Sequence, residues 1–332
     1  MRLHRPTAEE GAAGLRAMAM VARDAGEIRC AARALIGAAQ RNLLHDESAI
    51  DGLPDIAPSE LAAAIVRPEI REQLVSGMVI VSLSQGAPPP EQVERVESFA
   101  AALGVEGPQL RAVRRLADHD VLLYKLCILR NGHLPDMVKE LFHHRGIAGV
   151  ARGLLGLRGL VAEPELAKRF QAWGTLPHDT LGAYVFRHYR EHGFAFPGEP
   201  QGFPETGIYH DFTHVLAGYD TSPAGETLVA AFTAGYREKR PDHGLFTALF
   251  GLSIFSTGVD VTPIGVGARV GTVGTVADSF FEAIERGSAV PTDLSDDWDF
   301  WTWVELPLGE ARARLGIPLK SSAATGPGHY PF

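Results

Sequence analysis

The chain has 332 residues, of which 45% are hydrophobic and 21% charged, and a formal net charge of −9. This length permits two domains and a large buried core, while the acidic balance excludes a general nucleic-acid binder. Its two cysteines, Cys30 and Cys127, supply no disulfide framework and read as buried free thiols in a reducing compartment.

Taken in chain order, Met1 to Pro6 is basic, but no apolar stretch of about 7–15 residues follows it, so no secretion signal is expected. Helix-like patterns run over Ala8 to Leu44, Pro58 to Ser82, Pro90 to Leu103, Pro108 to Leu129 and Pro135 to Leu157. Proline stands near many of these starts, where it suits the first helical turn. Alternating strand patterns are scarce, which predicts a mainly α fold. His45-Asp46-Glu47 and Asp51-Gly52 read as a solvated acidic loop. The stretch Ile147 to Leu160 is apolar, Gly-rich and studded with Arg. It fits either a core helix packed closely at its glycines or a basic amphipathic segment in a membrane interface. Leu245 to Phe255 is apolar nearly all round, as in a buried helix or a cavity wall. Val261 to Val276 fits a strand pair, a Gly-rich helix or a loop. No window of about 18 uninterrupted apolar residues occurs, so no membrane-spanning helix is expected, and the location reads as cytoplasmic. The sequence holds no phosphate-binding Gly-rich loop, dinucleotide fingerprint or nucleophile elbow.

The densest chemistry lies at His210-Asp211-Phe212-Thr213-His214, followed after eleven residues by Glu226. At about 100° per residue, His210, Asp211 and His214 share one arc of a helix. Ile208, Phe212, Val215 and Tyr219 form the apolar stripe on nearly the opposite side. The histidines therefore either face water or line a second concavity. Imidazoles and carboxylates together suit Zn²⁺ or a non-haem Fe²⁺ centre. The plainer alternative is a solvated polar face. Glu226 falls near the start of a helix opened by Thr221, Ser222 and Pro223, but a capping box would need it three residues after the cap. Neither register provides that, which favours a ligand role. His188 and His192 have ligand spacing, i and i+4, yet find no suitable carboxylate nearby in sequence and read as structural or surface residues. His143-His144 and His178-Asp179 read as surface pairs.

The motif His210-Asp211-x-x-His214, eleven residues, Glu226 resembles the signature of the coenzyme Q (ubiquinone) biosynthesis protein 4 family. Other segments resemble that family too: Thr175-Leu176-Pro177-His178-Asp179-Thr180-Leu181-Gly182-Ala183-Tyr184, with Tyr184 one residue early; Val215-Leu216-Ala217-Gly218-Tyr219; Trp301 to Leu308; and Arg312-x-x-Leu315-Gly316-Ile317-Pro318. The match covers about residues 130–320. The resemblance implies a helical domain over 136–332 with an apolar pocket for a prenyl chain and Zn²⁺, with Fe²⁺ as the alternative, held by His210, Asp211, His214 and Glu226. These four would also be the catalytic residues of a lyase that decarboxylates a prenylated 4-hydroxybenzoate-type ring at C1. Whether hydroxylation follows at the same site is open, because Zn²⁺ cannot change oxidation state. Implied partners are the prenylated aromatic substrate, other quinone-synthesis enzymes and a membrane touched peripherally on its inner face. Nucleic acid is not among them, and a homodimer is compatible with the reading. A prenyl-lipid-binding scaffold without catalysis, and a stress-response or natural-product metalloprotein, are the rival functions.

Residues 1–135 more weakly resemble a TerB-like (tellurite-resistance) helical domain. The resemblance is carried by Ser82 to Gln92 and by Phe99-Ala100-Ala101-Ala102-Leu103-Gly104-Val105. Gln85-Gly86 stands where that family has an acidic Asp-Gly turn, which removes a carboxylate that could bind a cation. A binding or docking module is the implied role.

Overall fold

A computed structural model describes residues 3–24, 26–84, 86–132, 134–157, 160–237, 247, 248, 251, 273–296, 298–321 and 328–330. Gln85, most of Leu245 to Phe255, and residues 261–272 of the Val261 to Val276 stretch lie outside them. The fold is mainly α, as the patterning predicts. The strands among the described residues are a two-residue hairpin, β1 (Arg23–Asp24) and β2 (Glu27–Ile28).

Seven helices build a first core: α1 (Ala8–Ala22), α2 (Cys30–Ala39), α3 (Pro58–Ala64), α4 (Pro68–Ser82), α5 (Pro90–Leu103), α6 (Pro108–Ala117) and α7 (Val121–Asn131). Local chemistry sets their ends. Thr7 and Glu10 form a capping box on α1, with Glu10 Oε2 accepting from the Thr7 amide at 2.8 Å and Thr7 Oγ1 accepting from the Glu10 amide at 3.2 Å. Pro occupies the first turn of α3, α4, α5 and α6. Gly104 ends α5 in the left-handed region, and the Val105 amide donates back to the Ala100 carbonyl at 2.9 Å.

Three of the long helical patterns break. The run from Ala8 is interrupted by the β1–β2 hairpin, where Gly26 adopts φ +89°. Pro68 separates α3 from α4, because the residue before proline is driven out of helical backbone. A turn at Asp118–Asp120, with His119 at φ 61°, separates α6 from α7. The expectation that both cysteines are buried is not met: Cys30 is exposed on the first turn of α2, and Cys127 is half-buried.

Beyond α8 (Leu134–Leu157), which is kinked at Gly146, a second core forms. It comprises α9 (Pro164–Gln171), α10 (Leu181–His192), α11 (Tyr209–Ala217), α12 (Pro223–Tyr236), α13 (Ala277–Ser288) and α14 (Leu308–Arg314). Tight packing of α12 on α13 depends on glycine. A Cβ on Gly287 would lie 2.0 Å from the Phe232 carbonyl oxygen, and one on Gly235 would lie 2.4 Å from that of Ile284. Helix α13 also joins the two cores. Ala277 belongs to the first, while Phe280, Ala283 and Ile284 belong to the second. Arg41, just after α2, clamps Asp278 at the start of α13 through Nη2 to Oδ2 at 2.7 Å and Nε to Oδ1 at 3.1 Å.

Candidate metal centre

Helix α11 ends at Gly218, whose φ of +76° lets the chain reverse into the N-cap of α12. Four cationic contacts satisfy the exposed carbonyls of that end. Arg312 donates to the carbonyls of Val215 and Leu216, both at 2.9 Å. Arg286 donates to Ala217 at 3.0 Å, and Lys320 to Gly218 at 3.0 Å. Ser222 caps α12 by accepting from the Gly225 amide at 3.2 Å, so Glu226 in the next position is not used as a cap.

This helix–turn–helix brings His210, His214 and Glu226 together, with one donor atom from each lying within 4.8 Å of the others. His210 Nε2 is 3.1 Å from Glu226 Oε2, His214 Nε2 is 3.3 Å from Glu226 Oε1, and the two imidazole nitrogens are 3.2 Å apart. Donors held about 2.0–2.1 Å from one tetrahedral Zn²⁺ are separated by about 3.4 Å. The donor set therefore fits one small divalent ion in both chemistry and spacing. His214 Nδ1 lies 3.1 Å from the Tyr219 carbonyl, to which it donates. That bond orients the ring so that Nε2 faces the triad. The His214 side chain is 1% exposed, whereas His210 is 44% and Glu226 25% exposed, so one side of the triad is open to solvent.

The carboxylate and the imidazoles of the triad support one another's charge. Burial alone would raise the Glu226 carboxyl, but the His214 charge and the hydrogen bond from His210 outweigh it and hold Glu226 well below the usual carboxylate range. Burial disfavours charge on His210, yet Glu226, bonded to it, and neighbouring Asp211 raise its pKa to about 8.

Asp211, the fourth expected ligand, departs from the set. It is turned toward α10, where its Oδ2 accepts from the Tyr189 hydroxyl at 2.6 Å and its Oδ1 lies 3.7 Å from His188 Nε2. Burial opposes its charge, but His188 and Tyr189 hold its pKa below normal. His188 is thus the residue that sequence reasoning under-read. It is 3% exposed, stacks near His214 with ring centroids 5.2 Å apart, and finds its carboxylate in Asp211. Its i, i+4 spacing with His192 was the available signal. The 22 residues separating Tyr189 from Asp211 hid the partner. His178 and His143 are exposed, as read from sequence.

Segments far apart in sequence support this arrangement. The Leu181 and Gly182 amides at the start of α10 donate to the carbonyls of Leu306 and Val304, both at 2.8 Å. A Cβ on Gly182 would lie 3.0 Å from that Val304 oxygen. A cavity of about 420 Å³ lies at the start of α11, walled in part by Phe203, Ile208, Tyr209, Trp298, Phe300 and Trp301. It does not include the triad, although Tyr209 directly precedes His210. Of the aromatics near the motif in sequence, Phe203 and Tyr209 line it, and Phe246, Phe250 and Phe255 lie outside the described residues. The chain matches no known protein-family model and no curated protein.

Proposed function

We propose that the chain is a metal-dependent lyase of prenyl-quinone assembly that removes the C1 carboxylate of a prenylated 4-hydroxybenzoate-type ring. The observation that carries this reading is the His210–His214–Glu226 triad, three donors at coordination spacing with one side open. Zn²⁺ suits two imidazoles and a carboxylate, and Fe²⁺ is the alternative. When bound, such an ion supplies a Lewis acid for the aryl carboxylate and phenolate oxygens. Glu226 holds negative charge between the imidazoles, and the Tyr219 carbonyl orients the His214 ring with Nε2 toward the triad. In the reaction the C1–carboxylate bond breaks, CO₂ leaves, the electron pair stays on C1, and a proton from water on the open side replaces the carboxylate. Hydroxylation at the same carbon would require O₂ and a redox-active metal.

The aromatic and aliphatic cavity beside Tyr209 supports a place for part of the prenyl tail. Peripheral membrane contact is supported by residues 121–160, which carry six basic residues against two acidic ones in an acidic chain. In that stretch Leu122, Leu126, Phe142 and Ile147 are exposed. Among the described residues no helix is long and apolar enough to cross a membrane. Residues 1–135 would then act as the TerB-like docking module. A scaffold with a structural metal is the second reading, but a closed set of four protein ligands would suit it better than this open triad.

Metal content by mass spectrometry, together with CO₂ release from a prenylated 4-hydroxybenzoate, tests the proposal. One Zn or Fe per chain with turnover, both lost in His214→Ala, is the expected result. Turnover that persists in metal-free protein would overturn it, and metal without turnover would favour the scaffold.

A further inference from the structure

The turn between the two ligand-bearing helices is gripped by residues more than 100 positions away. Tyr330 donates its amide to the Gly218 carbonyl at 3.0 Å, and the Asp220 amide donates to the Gly328 carbonyl at 3.0 Å. Between these bonds His329 pairs antiparallel with Tyr219. Lys320 ties the two sides, donating to the carbonyls of Gly218 at 3.0 Å and Tyr330 at 2.9 Å. The approach is too close for a side chain. Gly328 has φ +89°, and a Cβ there would lie 2.8 Å from the Gly225 amide nitrogen.

Two connections lead from this grip to the triad. Through the backbone, residue 329 pairs with Tyr219, whose carbonyl oxygen accepts from His214 Nδ1. Through a side chain, the Tyr330 hydroxyl lies 2.8 Å from His188 Nδ1. His188 in turn stacks near His214 and directs Nε2 toward Asp211, with no hydrogen-bond partner for that nitrogen among the described residues.

We propose that Gly328–Tyr330 and His188 are positioning residues that clamp the His210–His214–Glu226 triad in its metal-binding geometry. The proposal rests on reading that triad as a metal site. His210 and His214 sit on α11 and Glu226 on α12, so their separations depend on the turn at 218–222. A helix pair joined by an unbraced turn can hinge, and a donor set loosened by even a fraction of an ångström binds its ion more weakly. The clamp fixes both ends of that turn and the rear face of His214.

The test uses the full chain loaded with Co²⁺ as a spectroscopic probe and with Zn²⁺ in competition against a chromophoric chelator. Wild type is compared with Tyr330→Phe, which removes one hydroxyl, and Gly328→Val, which pushes the segment off the turn. Circular dichroism of the metal-free proteins checks the fold. Gly328→Val is expected to weaken Zn²⁺ binding by about 10–100-fold, the range for lost outer-shell partners. Tyr330→Phe is expected to weaken it by less, and both should shift the Co²⁺ visible bands while the helical signal stays unchanged. Wild-type affinity and Co²⁺ spectrum in both variants would overturn the clamp alone. Failure of the wild-type chain to take up either metal would overturn the metal reading and the clamp with it.

Discussion

The two cores are built on different principles. The first, over α1–α7, is mostly aliphatic, with small and branched side chains such as Ala17, Val79 and Ile36 fully buried, and, apart from buried Glu10, its ion pairs lie toward the surface. The second, over α9–α14, buries Phe170, Tyr189, Phe212, Tyr219, Phe232 and Tyr236, and among them places His188, His214, Arg237 and Arg286. Buried polar groups are costly unless hydrogen-bonded. The second core therefore invests its interior in a network, and the network surrounds the candidate metal centre. Arg286 shows the pattern: it donates to the Ala217 and Pro318 carbonyls at 3.0 and 2.9 Å and to the Tyr219 hydroxyl at 2.8 Å. The difference separates a region that is stable by simple packing from one whose stability is tied to the geometry of its site.

That contrast can be broken most directly at glycines. Gly287→Val in the second core would press a side chain onto the Phe232 carbonyl, and a loss of about 3 kcal/mol or more is expected in urea unfolding. Arg286→Met leaves two carbonyls without their donor and should cost about 2–4 kcal/mol by the same measurement. If the polar network does not support the second core, this variant will melt with the wild type. Metal uptake sharpens the site side of the comparison. His210, raised to about pH 8, must lose its proton before binding. Apparent Zn²⁺ affinity should therefore rise with pH up to about 8 and then level off. Below that point it should fall by up to about tenfold per pH unit for this one proton, measured by chelator competition.

Smaller effects belong to the first core. Arg67, bonded to Glu10, holds that carboxyl down to about 2 from an ordinary 4.5. The folded value lies below the unfolded one, so the stabilisation is complete above pH 4.5 and is lost as pH falls toward 2. Glu10→Gln should cost about 1 kcal/mol at pH 7 and almost nothing at pH 2, read from urea midpoints at the two pH values. Gly77→Ala on α4 meets the Met18 side chain, its methyl at 3.5 Å and its sulfur at 3.8 Å. It should be neutral or stabilising by up to about 1 kcal/mol, opposite in sign to Gly287→Val.

Much of the site was legible because it is local. The His210, His214 and Glu226 spacing, the Ser222 cap and the apolar stripe of α11 all follow from helical periodicity and cap chemistry acting within about twenty residues. The mainly α fold was legible for the same reason. Helix breaks were less so, since a turn such as Asp118–Asp120 costs little in sequence pattern yet redirects the chain. What the sequence by itself determined, then, is the mainly α character and a set of four candidate donors, three of which two adjacent helices bring together. Only the tertiary structure decided that Asp211 turns to Tyr189 and His188, that Arg312 and Arg286 cap α11, and that residues 328–330 grip its turn. Those outcomes depend on which buried groups still lack a partner once the helices have packed, and that choice is made between residues up to 142 positions apart.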